Sequence, residues 1–106
     1  MPVFRKRITH YAAFRYPQEG SSQARINCYS EDGYRVYVIF VADGSTRPAN
    51  SYNASSKTGV GYDYVSHFPA YVDLLRNEDP VWATINEEKA SYVIYAAGEG
   101  VGEGEM

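Results

Sequence analysis

Cysteine is nearly missing from this sequence: 106 residues hold only Cys28, so no intrachain disulfide can staple the fold. Histidine is almost as scarce, and His10 and His67 stand far apart with no short metal-ligand spacing to each other or to Cys28. No apolar run nears the ~20 residues that a membrane-spanning helix needs, and the opening MPVFRKRITH has no apolar export core. The expected setting is therefore reducing and cytoplasmic, with no membrane partner and no cofactor. Asn53-Ala54-Ser55 has the form of a glycosylation acceptor, but without an export signal it reads as chance.

Catalytic patterns are equally thin. A hydrolase or transferase needs a nucleophile beside a base, a metal, or paired carboxylates with separated pKa values. KTGVGY is not a phosphate-binding loop, because there the glycines should precede the lysine. Asp63, Asp73, Glu78 and Asp79 gather around one predicted helix, where acids are ordinarily solvated surface. The sequence thus points to a non-catalytic domain.

What the chain does have is tyrosine: 11, against one tryptophan and four phenylalanines. A phenol ring is apolar with a polar tip, which suits half-buried strand faces and contact surfaces. The net charge of −3 conceals an asymmetry. Residues 1–57 hold eight basic and four acidic side chains, whereas residues 58–106 hold two basic and nine acidic. A split of this kind hints at a polyanionic partner or at charge-complementary self-association.

Residues 3–16 alternate, with Phe4, Ile8, Ala12 and Phe14 on one side and Arg5, Arg7, Thr9, Tyr11 and Arg15 on the other. This predicts a half-buried strand bent near Ala12-Ala13. PQEGSS at 17–22 has turn composition, and QARINCYS and YRVYVIFVA predict two strands around Glu31-Asp32-Gly33. From 43 to 61 the small, polar run DGSTRPANSYNASSKTGVG predicts a long loop, interrupted by a short edge strand at 50–53. SHFPAYVDLLRNEDP predicts one helix over 66–77, with Ser66 as N-cap, Pro69 in the first turn and Pro80 as its far limit. Phe68, Tyr71, Val72 and Leu75 form its apolar stripe. PVWATINEE and SYVIYAAG predict a closing hairpin, in which Trp82 and Tyr95 read as core. The expected fold is α+β: a mainly antiparallel sheet of five or six strands with one helix packed on one face. It spans 1–97 as a single domain, followed by a Gly/Glu tail at 98–106 with too little apolar surface to order.

The turn at 31–33 decides which side chains face out. A two-residue Asp32-Gly33 loop would pair Glu31 with Tyr34 and mix polar and apolar residues on both faces. A three-residue loop needs its last residue in the left-handed region, where Gly33 sits. That register gathers Ala24, Ile26, Cys28, Val36, Val38 and Phe40 on one apolar face. Tyr29 then stands opposite Arg35 and Asn27 opposite Tyr37 on the other, with Arg25, Ile39 and Val41. A one-residue slip exchanges the two faces, so the apolar pattern selects the three-residue loop.

One helix cannot cover both faces of the sheet. The predicted binding residues are Arg25, Asn27, Tyr29, Arg35 and Tyr37, extended by Arg5, Arg7 and Tyr11 of the first strand. The first expectation is a homodimer formed through this Tyr/Arg/Ile face, since Tyr and Arg are enriched at interfaces. The alternative is a single-stranded nucleic acid held on the same basic, aromatic surface. Against it stand the acidic net charge and the lack of any familiar RNA- or DNA-binding pattern.

Overall fold

The computed structural model describes residues 3–15, 22–78 and 80–96; the expected tail at 98–106 lies outside them. Its strands are β1 (Val3–Arg15), β2 (Ser22–Ser30), β3 (Arg35–Val41), β4 (Ser51–Asn53), β5 (Thr58–Tyr64), β6 (Val81–Asn86) and β7 (Ser91–Ala96). A single 3-10 turn at Val65–His67 leads into the helix α1 (Phe68–Asn77). The α+β class stands, but the sheet has seven strands in the order β4-β5-β3-β2-β1-β6-β7, curled into a half-barrel, rather than five or six. It is also mixed: β3 and β5 run parallel, while every other neighbouring pair is antiparallel.

The additional strand is β5, which begins inside the stretch expected to be loop. Its inward positions are Gly59 and Gly61, so the large apolar residues that mark a buried strand face are missing. A partner fills the space instead. The Tyr92 ring of β7 reaches across the curled sheet and lies where a Cβ of Gly59 would stand, and its hydroxyl donates to the Ser51 carbonyl of β4. The short strand expected at 50–53 is β4, and 42–57 provides the long crossover that a parallel pair needs.

The β2–β3 turn is the three-residue form. Ser30 N–H donates to the Tyr34 carbonyl at 2.9 Å, and Gly33 has φ 93°, the left-handed conformation that glycine takes without steric penalty. Asp32 in this turn accepts hydrogen bonds from Lys6 Nζ at 2.7 Å and from Ser30 Oγ, which hold its carboxyl below the usual range. Tyr29 pairs with Arg35 and Asn27 with Tyr37, as the apolar pattern required. Ala24, Ile26, Cys28, Val36, Val38 and Phe40 are all buried on the opposite, inner face. Val81, Ala83 and Ile85 of β6 continue that face, and Phe68, Tyr71, Val72 and Leu75 of α1 pack onto it. Burial pushes the Cys28 thiol up to about 12, so it behaves as a small hydrophobe.

β1 departs from its expected phase. The ladder to β2 shifts between Ile8 and His10, leaving one extra residue in β1, so alternation reverses there rather than at Ala12-Ala13. Before the shift Phe4 and Ile8 face inward; after it Tyr11, Ala13 and Arg15 do, opposite Cys28, Ile26 and Ala24. Ala12 and Phe14 pass to the outer face.

The helix starts later than expected, and Ser66 is not its cap. The Ser66 N–H donates to Asp43 Oδ1 at 3.0 Å, and His67 occupies the N-cap without a side-chain capping hydrogen bond to the helix; Pro69 does lie in the first turn. Asp63 anchors this junction. It accepts from Tyr64 N–H at 2.7 Å and from Tyr71 Oη at 2.9 Å, and its Oδ1 lies 2.8 Å from His67 Nδ1. Burial alone would raise its pKa, but these three partners outweigh burial and hold it below the usual carboxylate range. Burial first, then the Asp63 carboxylate, pushes Tyr71 up to about 12, so the phenol stays a donor.

Two outcomes follow. Gly59→Ala should destabilise the chain by about 1–3 kcal/mol through overpacking against Tyr92, and Tyr92→Leu should remove most of that penalty in a double-mutant cycle measured by urea unfolding. Because the folded pKa of Asp63 is depressed, its contribution is present above the unfolded carboxylate pKa and disappears as pH falls through the folded value. Asp63→Asn should therefore lower stability near neutral pH and flatten the acid side of the stability–pH curve.

Candidate functional site

Among the described residues no helix covers the outer face of the sheet. Strand alternation places on it Arg5 and Arg7 of β1, Arg25, Asn27 and Tyr29 of β2, Arg35, Tyr37 and Ile39 of β3, Val60 and Tyr62 of β5, Trp82 and Thr84 of β6, and Val93 and Tyr95 of β7. Seven of the eight residues predicted from sequence are therefore gathered here. Tyr11 is not: the irregularity in β1 turns it to the inner side, where it lines a cleft with Ile8, Leu75 and Val81 near the end of α1. Val41, expected beside Ile39, is buried.

Two clusters occupy the face. In the first, Arg25 Nε–H donates to Asn27 Oδ1 at 2.7 Å, and Asn27 Nδ2 donates to the Tyr29 hydroxyl at 3.1 Å. The Arg25 guanidinium lies 4.9 Å from the Tyr37 ring centre and 5.9 Å from that of Phe14, and Tyr29 meets Tyr37 edge-on at 6.4 Å. Asn27 is only 5% exposed, enclosed among polar and aromatic neighbours although it points away from the core. Its two side-chain bonds brace the arginine and the tyrosine from one position.

The second cluster lies across β1. The Arg5 guanidinium sits 4.1 Å from the Trp82 ring centre and 6.0 Å from that of Tyr95, which pairs with Trp82 across the β6–β7 ladder. Thr84 Oγ1 donates to the Tyr95 hydroxyl at 3.3 Å, while the indole Nε1 of Trp82 is sealed from solvent without a hydrogen-bond partner. Trp82 and Tyr95, expected in the core, are half-buried members of the outer face. The signal for this was in β6: Val81, Ala83 and Ile85 alternate with Trp82, Thr84 and Asn86, and the more apolar set must take the inside. The β1 irregularity places Phe14 on the side opposite to that expected from alternation, and Tyr62 joins the face with β5, which the polar composition of 43–61 does not signal.

The electrostatics of this face are one-sided. It carries Arg5, Arg7, Arg25 and Arg35, with His10 exposed in β1, and no carboxylate among its described strand residues. The acid of β5, Asp63, points inward opposite Phe40. At its border Glu31 and Asp32 of the β2–β3 turn line a cleft of about 410 Å³ with Arg5, Lys6 and Arg7, and Asp32 is already paired with Lys6. Guanidinium groups beside aromatic rings on one sheet face can take up flat aromatic rings and anionic oxygens together.

Among the described residues no group of three or more His, Cys, Asp or Glu side chains could hold a metal ion. None of their helices is long and apolar enough to cross a membrane. Comparison with protein-family models, curated proteins and solved structures finds no match to the chain.

Asn27→Ala should cost about 1–3 kcal/mol in stability, the expense of leaving the Arg25 and Tyr29 groups without their buried partner. Thermal unfolding of the variant measures it, and a change within error would show that the pair does not depend on Asn27.

Proposed function

We propose that the protein is a non-catalytic binding domain that holds single-stranded nucleic acid on its helix-free sheet face. The observation that carries the reading is the composition of that face: four arginines interleaved with Phe14, Tyr29, Tyr37, Trp82 and Tyr95, and no carboxylate among its described outward-facing strand residues. Bases stack on such rings with little regard to sequence, at ~1–3 kcal/mol each, while guanidinium groups neutralise the phosphates between them. Arg25 is already ordered between Phe14 and Tyr37, which reduces the entropy lost on binding. Of the acids behind the negative net charge, Asp63, Asp73 and Glu78 lie at the helix side of the molecule, away from this face.

Self-association through the same face is the second reading. Ile39, Val60 and the exposed Val93 favour it, since a surface mixing aliphatic and aromatic groups gains by covering. A two-fold contact between two such faces, however, sets arginine against arginine with no acid between them. Nucleic acid relieves that repulsion; a second copy does not.

Trp82, the sole tryptophan, lies under Arg5 and reports directly on the face. Adding short single-stranded oligonucleotides should change its emission at low salt, with affinity falling steeply as salt rises. Tyr37→Ala should cost ~1–3 kcal/mol of binding, and Arg35→Ala should weaken binding and its salt dependence, while both chains stay folded. Val38→Ala should do the reverse, destabilising the fold by about 1–3 kcal/mol and leaving the affinity of the folded fraction unchanged. No binding at low salt would sink the reading, and a dimer that Tyr37→Ala dissociates would put self-association in its place.

A further inference from the structure

The two ends of the sheet are finished differently. β4 closes one end with three residues, and its Ser51 carbonyl is already used by the Tyr92 hydroxyl. β7 closes the other with six residues, SYVIYA, that include neither a charge nor a proline. Among the described residues, the backbone of β7 is hydrogen-bonded to β6 and to no further element. Val93 is 58% exposed, more than any other large hydrophobic side chain described. Beside it an open groove of about 300 Å³ lies between β7 and α1, lined by Ala70, Tyr71, Leu74, Tyr92, Val93 and Ile94. Sheet edges in monomers are blunted by shortness, charge, proline or a bulge. β4 is blunted by shortness; β7 has none of these protections.

We propose that β7 pairs antiparallel with the β7 of a second copy, about a two-fold axis normal to the sheet, so that two seven-stranded sheets become one. Charge and closure select this occupant. A neutral strand can lie against its own copy with no like charges opposed, which the arginine-bearing face cannot. Joining β7 to the β4 of the next copy would be a head-to-tail contact with no closure, and three residues offer it little ladder. Pairing β7 with itself satisfies both open edges at once and covers Val93 and the mouth of the groove.

The register is restricted as well. Residues directly opposite in an antiparallel ladder share a face, so the axis must pass through a residue position, at Val93 or Ile94. Either choice keeps both helix-free faces on the same side and unites them into one continuous surface. This inference does not rest on the nucleic-acid reading; it moves self-association from the face to the edge.

Sedimentation velocity of the full chain at micromolar concentrations tests it, with Val93→Lys as the disrupting variant and Tyr37→Ala as the control on the face. The wild type and Tyr37→Ala should sediment as dimers. Val93→Lys, which brings two ammonium groups together near the axis, should sediment as a monomer with faster amide exchange along β7. Val93→Glu, which likewise brings two like charges together near the axis, replaces it if Val93→Lys proves unfolded by circular dichroism. A wild type that stays monomeric throughout, or a folded charged variant at Val93 that stays dimeric, overturns the proposal. Dissociation by Tyr37→Ala alone would also overturn it, in favour of the face.

Discussion

The phase of the pleat governs this molecule. Side chains in a strand alternate strictly, so one residue more or less in a turn or ladder exchanges everything on the two faces. Gly33 settles the matter for β2 and β3, because its left-handed backbone closes a three-residue turn that sends Ile26, Val36 and Phe40 inward together. The irregularity between Ile8 and His10 resets the phase a second time, in β1. Those two local events place Arg25, Tyr37 and Phe14 on the outer face and turn Tyr11 away from it.

The inner face obeys a different constraint, which is space. A seven-stranded sheet curled over one helix brings β7 back towards β5, and the interior there is too narrow for side chains from both. Gly59 and Gly61 withdraw on one side so that Tyr92 can enter from the other and bond to the edge of β4. Curling thus ties down the β4 end, while β7 is the longer edge, paired only with β6 among the described residues. The Asp63 cluster fixes the passage from β5 into α1 by hydrogen bonds to Tyr64, His67 and Tyr71, and so sets how the helix lies over the core.

Division of labour between the faces gives the molecule its polarity. Burial takes up the aliphatic side chains and the lone thiol, whereas the outer face keeps arginine, tyrosine and tryptophan in mutual contact. The proposed readings draw on separate features: the face offers stacked rings and cations, and the β7 edge offers neutral backbone. A dimer formed at that edge would lengthen the face without covering it, which suits a ligand in the form of a strand.

Much of this was legible before any coordinates. The helix stripe of Phe68, Val72 and Leu75, the pairing of Tyr29 with Arg35 and the buried position of Cys28 all follow from periodicity and one turn, because each depends on neighbours close in sequence. β5 was not legible, since glycines answer to a tyrosine more than thirty positions away. The outward placement of Phe14 was hidden in an extra residue that alternation cannot reveal, whereas that of Trp82 was legible in β6, where Val81, Ala83 and Ile85 form the more apolar set. Local chemistry determined the turns, the helix and the two kinds of strand face; only the closing of the sheet, where distant segments compete for one volume, decided the strand count, the parallel pair and the full membership of the outer surface.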